Sequence, residues 1–382
     1  MIKINLEGKS IRKIALVLIV LIVSFSFASL FFIQDITKND IENRFFEQQK
    51  ERQMEYTKII STHMSSDLER VIAMMNGLGN SVYVQVNEFS SPALKELMQE
   101  EFDKYDNIIN RLFILDNNDI MTIGLARTRE PLVGSDLSFR DWVRETRESN
   151  STVFSDGFER QGLYRIFISQ PVFDRDSGEY IATVGASVLA NPFFSHYKNI
   201  ENFEEGFLVS YNKNGDLLYN GLNKSLVGLN FFGPEVQSAI NHNEVVNNLT
   251  KSLISLAQPS YAVYDYGVGE RINTQRPVLV NDEPQYFLQV ITPTTKIYSQ
   301  IQDALYLEEI KIYFLLAGTL AAIVVLVFIL VEWNHILQGE VKRRTTELHE
   351  SEAKARELED SYDAMKNYLQ EVMKEIRRER PS

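Results

Sequence analysis

Two long runs without a charged residue divide this chain, and they constrain its fold more than any other feature. The first run covers residues 14–33 and the second covers residues 312–331, so each contains twenty residues. At a rise of about 1.5 Å per residue, a helix of that length crosses a hydrocarbon layer of about 30 Å. The two runs therefore predict two transmembrane helices with a domain, residues 34–311, between them.

Basic residues beside the runs predict their orientation. Four lysines and arginines precede the first run, and a Lys-Arg-Arg triplet at residues 342–344 follows the second. By the positive-inside rule, residues 1–13 and 332–382 are expected in the cytoplasm and residues 34–311 outside a cell membrane that the chain crosses twice. A cleaved signal peptide is the alternative for the first run, but the run exceeds the usual apolar core of about 7–15 residues.

The acidic charge is concentrated between the two runs. Net charge is +3 over residues 1–33, −14 over residues 34–312 and −2 over residues 313–382. Nucleic-acid binding needs a basic surface, so the acidic middle segment argues against nucleic acid as a partner. The chain has no cysteine, which excludes disulfides and thiolate chemistry.

The middle segment begins with a helical pattern and continues with two similar sets of strands. Apolar residues at helical spacing predict a stalk helix over residues 34–80. Turn residues then separate runs of β-forming residues. The predicted strands are residues 111–115, 120–124, 164–172 and 179–188 in the first set, and residues 206–211, 216–219, 261–266, 271–280 and 285–291 in the second. Helices are expected over residues 191–200 and 236–257.

These patterns predict an α+β fold in which a long N-terminal helix is followed by two tandem lobes, each with an antiparallel sheet. The membrane-distal lobe is assigned to residues 81–203 and the membrane-proximal lobe to residues 204–300. The boundary between them is expected near residues 200–206.

After the second run, the apolar pattern changes to a 4-3 repeat. Such a repeat, sustained over several heptads, predicts a left-handed coiled coil, most simply a parallel homodimer. The segment concerned is residues 332–382, and ten of the twelve seam positions are apolar or aromatic. The seam positions are Leu337, Val341, Arg344, Leu348, Ser351, Ala355, Leu358, Tyr362, Met365, Leu369, Val372 and Ile376.

One short motif in this layout carries a family likeness. Phe139-Arg140-x-Trp142, followed by the hairpin of residues 166–171 and 178–188, resembles the double Cache sensor domain of prokaryotic transmembrane receptors. The resemblance covers about residues 34–305 and implies two PAS-like lobes, with a small extracellular ligand bound in the membrane-distal one.

The resemblance also implies roles for single residues. In amino-acid-binding members, an Arg-x-Trp-Tyr motif grips the ligand carboxylate, and Arg140 and Trp142 match its first and third positions. A guanidinium offers a two-donor fork for a carboxylate, and an indole N–H adds a third donor. Val143 replaces the motif tyrosine, Phe158 falls near the later tyrosine, and Ser187 falls where an aspartate would hold an ammonium group.

A serine cannot supply that counter-charge, so tight binding of ordinary α-amino acids is not expected. Asp156, Tyr164 and Ser187 are further candidates for the pocket lining. The alternative interpretation is that Trp142 is a core aromatic residue and that Arg140 pairs with Asp136 or Asp156 on the surface.

Recognisable catalytic and metal-binding patterns are missing from the sequence. It has no Gly-rich phosphate loop, no His-Glu-x-x-His and no Gly-x-Ser-x-Gly. The five histidines are scattered, and His349 is followed by 33 residues, too few for the ATP-binding domain of a histidine kinase. We therefore expect no enzyme activity, no metal and no cofactor, while a separate kinase could provide the output.

Two function classes remain. The first is a sensory receptor that transmits ligand binding through the second transmembrane helix and the coiled coil to a cytoplasmic signalling protein in trans. The second is a membrane-anchored dimeric scaffold that binds another extracytoplasmic protein. An enclosed pocket lined by polar groups would favour the receptor, and an exposed apolar patch would favour the scaffold.

Overall fold

The computed structural model describes residues 8–128, 133–160, 163–197 and 206–378. The chain forms two compact units, one of Ile36–Ala304 and the other of Met1–Asp35 with Leu305–Ser382. The fold is α+β, with a long N-terminal helix, two antiparallel sheets and a long C-terminal helix.

Helix α1 (Gly8–Gly79) is continuous through the first apolar run and the predicted stalk. No proline or glycine occurs between Gly8 and Gly77, so nothing in the sequence interrupts the helix. The part of α1 within Ile36–Ala304 buries one apolar stripe whose members recur at helical spacing. The stripe contains Ile60, Met64, Leu68, Val71, Met75 and Leu78.

The first lobe, built on the first sheet, follows α1. Its sheet has the strand order β2-β1-β6-β5-β3, and β4 pairs with β5 beside β3. The strands are β1 (Ile109–Asp116), β2 (Met121–Ala126), β3 (Val153–Phe154), β4 (Phe158–Arg160), β5 (Leu163–Phe173) and β6 (Tyr180–Leu189). The helices are α2 (Val82–Gln85), α3 (Pro92–Lys104), α4 (Asp141–Ser149) and α5 (Ala190–His196).

The second lobe is built on a five-stranded antiparallel sheet of order β8-β7-β11-β10-β9. Its strands are β7 (Phe207–Tyr211), β8 (Leu217–Asn220), β9 (Ser260–Tyr264), β10 (Arg271–Val280) and β11 (Glu283–Pro293). All the strands predicted from the sequence are present within a few residues of their expected bounds. The boundary between the lobes is predicted near residues 200–206, and residues 200–205 of this interval lie outside the described residues.

One predicted helix is wrong. The segment 236–257 forms two helices, α6 (Pro234–Ala239) and α7 (Glu244–Leu256). Asn241 and His242 between them have φ angles of 52° and 50°, a left-handed conformation that ends a helix. Asn243 then caps α7, since its side chain accepts a hydrogen bond from Val246 N at 3.1 Å.

Helix α1 packs against both sheets. A single cluster of buried apolar residues includes the α1 stripe, one face of the first sheet and residues such as Val278, Tyr286 and Leu288 of the second sheet. The opposite face of each sheet carries a separate cluster, one around Trp142 and Phe167 and the other around Phe231 and Phe287. In each lobe, one face of the sheet therefore packs against α1, and the other face is covered by the helices and loops of that lobe.

A polar row on α1 also contacts the second sheet. Gln53 Nε2 donates to Ile272 O at 2.9 Å and to Val290 O at 2.7 Å. The hydroxyls of Thr57 and Thr274 lie 2.5 Å apart, and Ser61 Oγ donates to Pro277 O at 2.7 Å. The three α1 residues of this polar row are buried, so α1 and the second sheet are joined by hydrogen bonds as well as by apolar packing.

The last element is α8 (Thr295–Arg378), which contains the second apolar run. Both α1 and α8 are long and apolar enough to span a membrane, and their most apolar windows are not buried in this single chain. Apolar residues of the predicted heptad seam on α8 are also exposed, among them Leu358, Tyr362, Met365 and Leu369.

Candidate functional site

Helix α4 positions the predicted motif over one face of the first sheet. Arg140 precedes the helix in an extended conformation, and Trp142, Val143 and Thr146 form its buried side. Thr146 Oγ1 donates to Trp142 O at 2.6 Å and lies 2.5 Å from Ser169 Oγ on β5. These contacts attach α4 to the sheet and place Trp142 between them.

The indole of Trp142 belongs to an aromatic cluster. Its ring stacks on Phe167 with a centroid distance of 5.0 Å and an interplanar angle of 13°, and Phe158 stacks on Phe167 at 5.2 Å. Trp142 is only 6% exposed, and its Nε1–H has no hydrogen-bond acceptor among the described residues. Trp142 is thus a core aromatic residue that keeps one buried donor, which is the atom a ligand could use.

A cavity of about 60 Å³ lies beside this cluster. Three arginines line it, from separate elements: Arg111 of β1, Arg140 before α4 and Arg165 of β5. The remaining lining residues are Phe113, Met121, Leu125, Ser135, Leu137, Trp142, Phe158 and Phe167, so no described residue of the lining carries a carboxylate. Three guanidinium groups at an aromatic-walled cavity create a site suited to an anion.

The side chain of Arg140 does not form the surface ion pair considered above. Its guanidinium carbon lies 4.7 Å from the ring centroid of Phe139 and 4.8 Å from that of Phe158. Asp136 instead accepts a hydrogen bond from Ser138 N at 2.8 Å, and Asp156 accepts one from Asn214 Nδ2 at 3.0 Å. Among the described residues, Arg140 therefore contacts aromatic faces rather than a carboxylate.

Ser187 lies on the same sheet face as the cavity. In the register of β6 it pairs with Arg111 on one side and Phe167 on the other, and paired residues share a face. Its side chain is fully buried, and its hydroxyl has no hydrogen-bond partner among the described residues.

The structure places Asp156 and Tyr164 apart from the cavity that Arg140 and Trp142 line. Asp156 contacts the turn between β7 and β8 through Asn214, and burial and the nearby Asp216 raise its pKa above the ordinary value. The Tyr164 ring packs against Gly228, and burial near Asp216 and Asp156 raises the pKa of Tyr164 to about 12. Both residues therefore occupy the contact between the lobes.

Sequence reasoning missed Arg111 and Arg165. Each is a basic residue at a position where an otherwise apolar strand faces the protein interior. Arg165 is 5% exposed, and its Nη1 donates to Asn110 Oδ1 at 2.7 Å. A charged residue inside a run of strand-forming apolar residues is the signal that could have identified both, because burying a charge is costly unless a partner or ligand is present.

The fold has relatives among solved structures. The periplasmic sensory domain of the Campylobacter jejuni chemoreceptor Tlp1 matches 66% of this chain and 98% of its own length, at 13% identity and a TM-score of 0.51. A methyl-accepting chemotaxis protein X structure matches 65% of this chain and 99% of its own length, at 12% identity and a TM-score of 0.52. The chain shares the fold of these two structures, as its resemblance to the double Cache sensor domain implied. The predicted α+β fold, with a long N-terminal helix and two antiparallel sheets, is confirmed.

A third relative extends the sensor fold to another receptor class. The extracellular domain of a protein assigned as a histidine kinase, rpHK1S-Z16, matches 66% of this chain and 98% of its own length, at 15% identity and a TM-score of 0.50. The chain spans 40% of an extracellular ligand binding receptor from Desulfohalobium retbaense. No family model matches the sequence, and no curated protein is significantly similar to it. The likeness therefore establishes the fold, while the ligand must be argued from the residues of this chain.

Proposed function

We propose that this chain is a transmembrane sensory receptor whose membrane-distal lobe binds a small anion, such as a carboxylate. The observation that supports the proposal is the cavity lined by Arg111, Arg140, Arg165 and Trp142, whose indole N–H has no acceptor among the described residues. The cavity is small, at about 60 Å³, so it suits the anionic head of a small ligand. The described part of the lining carries no carboxylate, and position 187 is a serine; both features disfavour a ligand ammonium group.

The proposal places the sensor domain outside the membrane. In it, residues 14–33 and 312–331 span the bilayer and both termini are cytoplasmic, as the flanking basic residues indicate. Ligand binding shifts the balance between two conformations, and α8 carries the change into a parallel homodimeric coiled coil at residues 332–382. The chain itself performs no catalysis in this scheme, and a cytoplasmic protein acting in trans provides the output.

Ligand binding can be tested with the full chain in lipid nanodiscs. We expect at least one of formate, acetate, glycolate, lactate, pyruvate or succinate to raise the melting temperature. Arg140→Ala should weaken that ligand about tenfold or more, because a charge-assisted hydrogen bond contributes roughly 1.5–3 kcal/mol. Arg144→Ala is the matched control, since Arg144 lies on α4, four residues after Arg140, and pairs with Asp141 at the surface.

A ligand shift that survives unchanged in Arg140→Ala would refute the assignment of the site. If no small anion stabilises a well-folded chain, the scaffold becomes the better explanation.

Dimerisation is tested separately by disulfide cross-linking, which is possible at single introduced cysteines because the chain contains no cysteine. A cysteine at Met365, in the predicted seam, should form an intermolecular disulfide on mild oxidation, while one at Asp363, two residues away and off the seam, should not. Equal cross-linking at the two positions would contradict the coiled coil.

A further inference from the structure

The second lobe contains a larger cavity than the first. Its volume is about 290 Å³, against about 60 Å³ beside Trp142. It lies on the sheet face away from α1, where β7, β8, β10 and β11 meet α6, α7 and the loop after β8. A volume near 290 Å³ approaches the range of about 300–1,000 Å³ that is typical of pockets for small molecules.

The walls of this cavity are mainly apolar and aromatic. They include Phe207, Phe231, Val236, Ile240, Tyr264 and Tyr266. Such walls favour the apolar body of a ligand, because transfer of apolar surface from water is favourable at about 25 cal/mol per Å².

Arg271 is the charged residue of the cavity wall. Its guanidinium carbon lies 5.5 Å from the ring centroid of Phe207 and 5.2 Å from that of Tyr266. The Arg271 Nε atom is buried, and no described residue forms an ion pair or hydrogen bond with the side chain. A guanidinium held between aromatic rings, with no acceptor on any described residue, is suited to bind an anion.

Asn220 supplies a second donor in the same cavity. The side chain is 8% exposed, and its Oδ1 accepts hydrogen bonds from Leu222 N at 3.0 Å and Asn223 N at 2.8 Å. These two bonds fix the orientation of the amide, so its NH₂ group is the end left without an acceptor among the described residues. Asn220 lines the cavity together with Arg271.

Among the residues that the structure describes, the cavity lining contains no aspartate or glutamate. A ligand ammonium group would therefore be desolvated there without a counter-charge, which is costly. From these features we infer that the second lobe holds its own ligand site, which takes a small monocarboxylate with an apolar body and places the carboxylate at Arg271 and Asn220. This site is separate from the anion site proposed at Arg140 and does not depend on it.

The test measures binding of 3-phenylpropanoate to the full chain in nanodiscs by isothermal titration calorimetry. Two compounds with the same ring system serve as comparisons: L-phenylalanine, which adds an ammonium group, and 2-phenylethylamine, which lacks the carboxylate. We expect 3-phenylpropanoate to bind saturably and both comparison compounds to bind at least tenfold more weakly.

Variants assign the binding to the second lobe. Arg271→Met should raise the Kd of 3-phenylpropanoate at least tenfold, because it removes the charged donor but keeps most of the apolar stem. Arg276→Met is the matched control: it lies on the same strand, five residues from Arg271 and therefore on the opposite sheet face. Arg140→Ala should leave this Kd unchanged, which separates the site from the one in the first lobe.

Ala239→Trp provides an independent variant. Ala239 lines the cavity, so the larger side chain should block the ligand without changing any charge. The inference is overturned if 3-phenylpropanoate does not bind, if 2-phenylethylamine binds equally well, or if neither Arg271→Met nor Ala239→Trp weakens binding.

Discussion

Gly185→Ala should destabilise the first lobe, although it adds only one methyl group. Gly185 lies on β6 and pairs with Phe113 of β1. A Cβ at this position would lie 2.3 Å from both Cε2 and Cζ of the Phe113 ring. An ordinary contact between carbon atoms is about 3.5–4.0 Å, so the ring would have to move by more than about 1 Å.

The surroundings of Phe113 oppose that movement. The ring is 1% exposed, and its centroid lies 6.0 Å from the Trp142 ring and 6.1 Å from the Phe167 ring. Overpacking of this kind costs typically about 1–3 kcal/mol. At about 2–4 °C per kcal/mol for a domain of this size, we expect the melting temperature to fall by roughly 2–12 °C.

Tryptophan fluorescence provides the assay, because Trp142 and Trp333 are the two tryptophans of the chain. A Trp333→Phe background leaves Trp142, which reports directly on the first lobe. Phe113→Leu is the coupled control: with a smaller side chain facing position 185, Gly185→Ala should cost much less. A Gly185→Ala melting temperature within 1 °C of the parent's would refute the reasoning.

Three further predictions follow from buried groups. Leu68→Ala should cost about 2–5 kcal/mol in thermal or denaturant unfolding because Leu68 is fully buried on α1, whereas the exposed neighbour His63→Ala should change little. The pKa of Asp156 is raised in the folded state, so the stability of the fold should fall as the pH rises from the ordinary pKa to the raised pKa. Asp156→Asn should remove that fall in thermal melts taken across the same pH interval. Gln53→Leu should cost about 1–3 kcal/mol by losing hydrogen bonds to two strand carbonyls, and equal stability to the parent would contradict this.

Much of the fold follows from local signals. The hairpin turns contain Asx and glycine residues between β-forming runs, and the long helices lack interrupting prolines, so their bounds could be predicted. The division between α6 and α7 was missed because apolar residues continue at helical spacing across it. Asn241, His242 and Asn243 indicate a break in the helix, because asparagine tolerates the left-handed conformation and is a favoured helix cap.

The candidate site was predictable only in part, because the face of a strand decides which side chains meet. Tyr164 and Arg165 are neighbours on β5 and point to opposite faces, so only one of them can face the cavity beside Trp142. Arg165 faces the cavity, and Tyr164 faces the second lobe. Arg140 and Trp142 could be found because the motif fixes their positions before and within α4, independently of any strand register.

The polar row of Gln53, Thr57 and Ser61 has a consequence for how motion can pass through the sensor domain. The row repeats every four residues, or about 6 Å along the helix axis, and each member is bonded to a fixed position on the second sheet. A slide of α1 by less than about one helical turn would leave these buried groups unpaired, at roughly 1–3 kcal/mol for each. When α1 is displaced along its axis by a small distance, the second sheet should therefore move with it, so that α1 and the second sheet shift together as one rigid body.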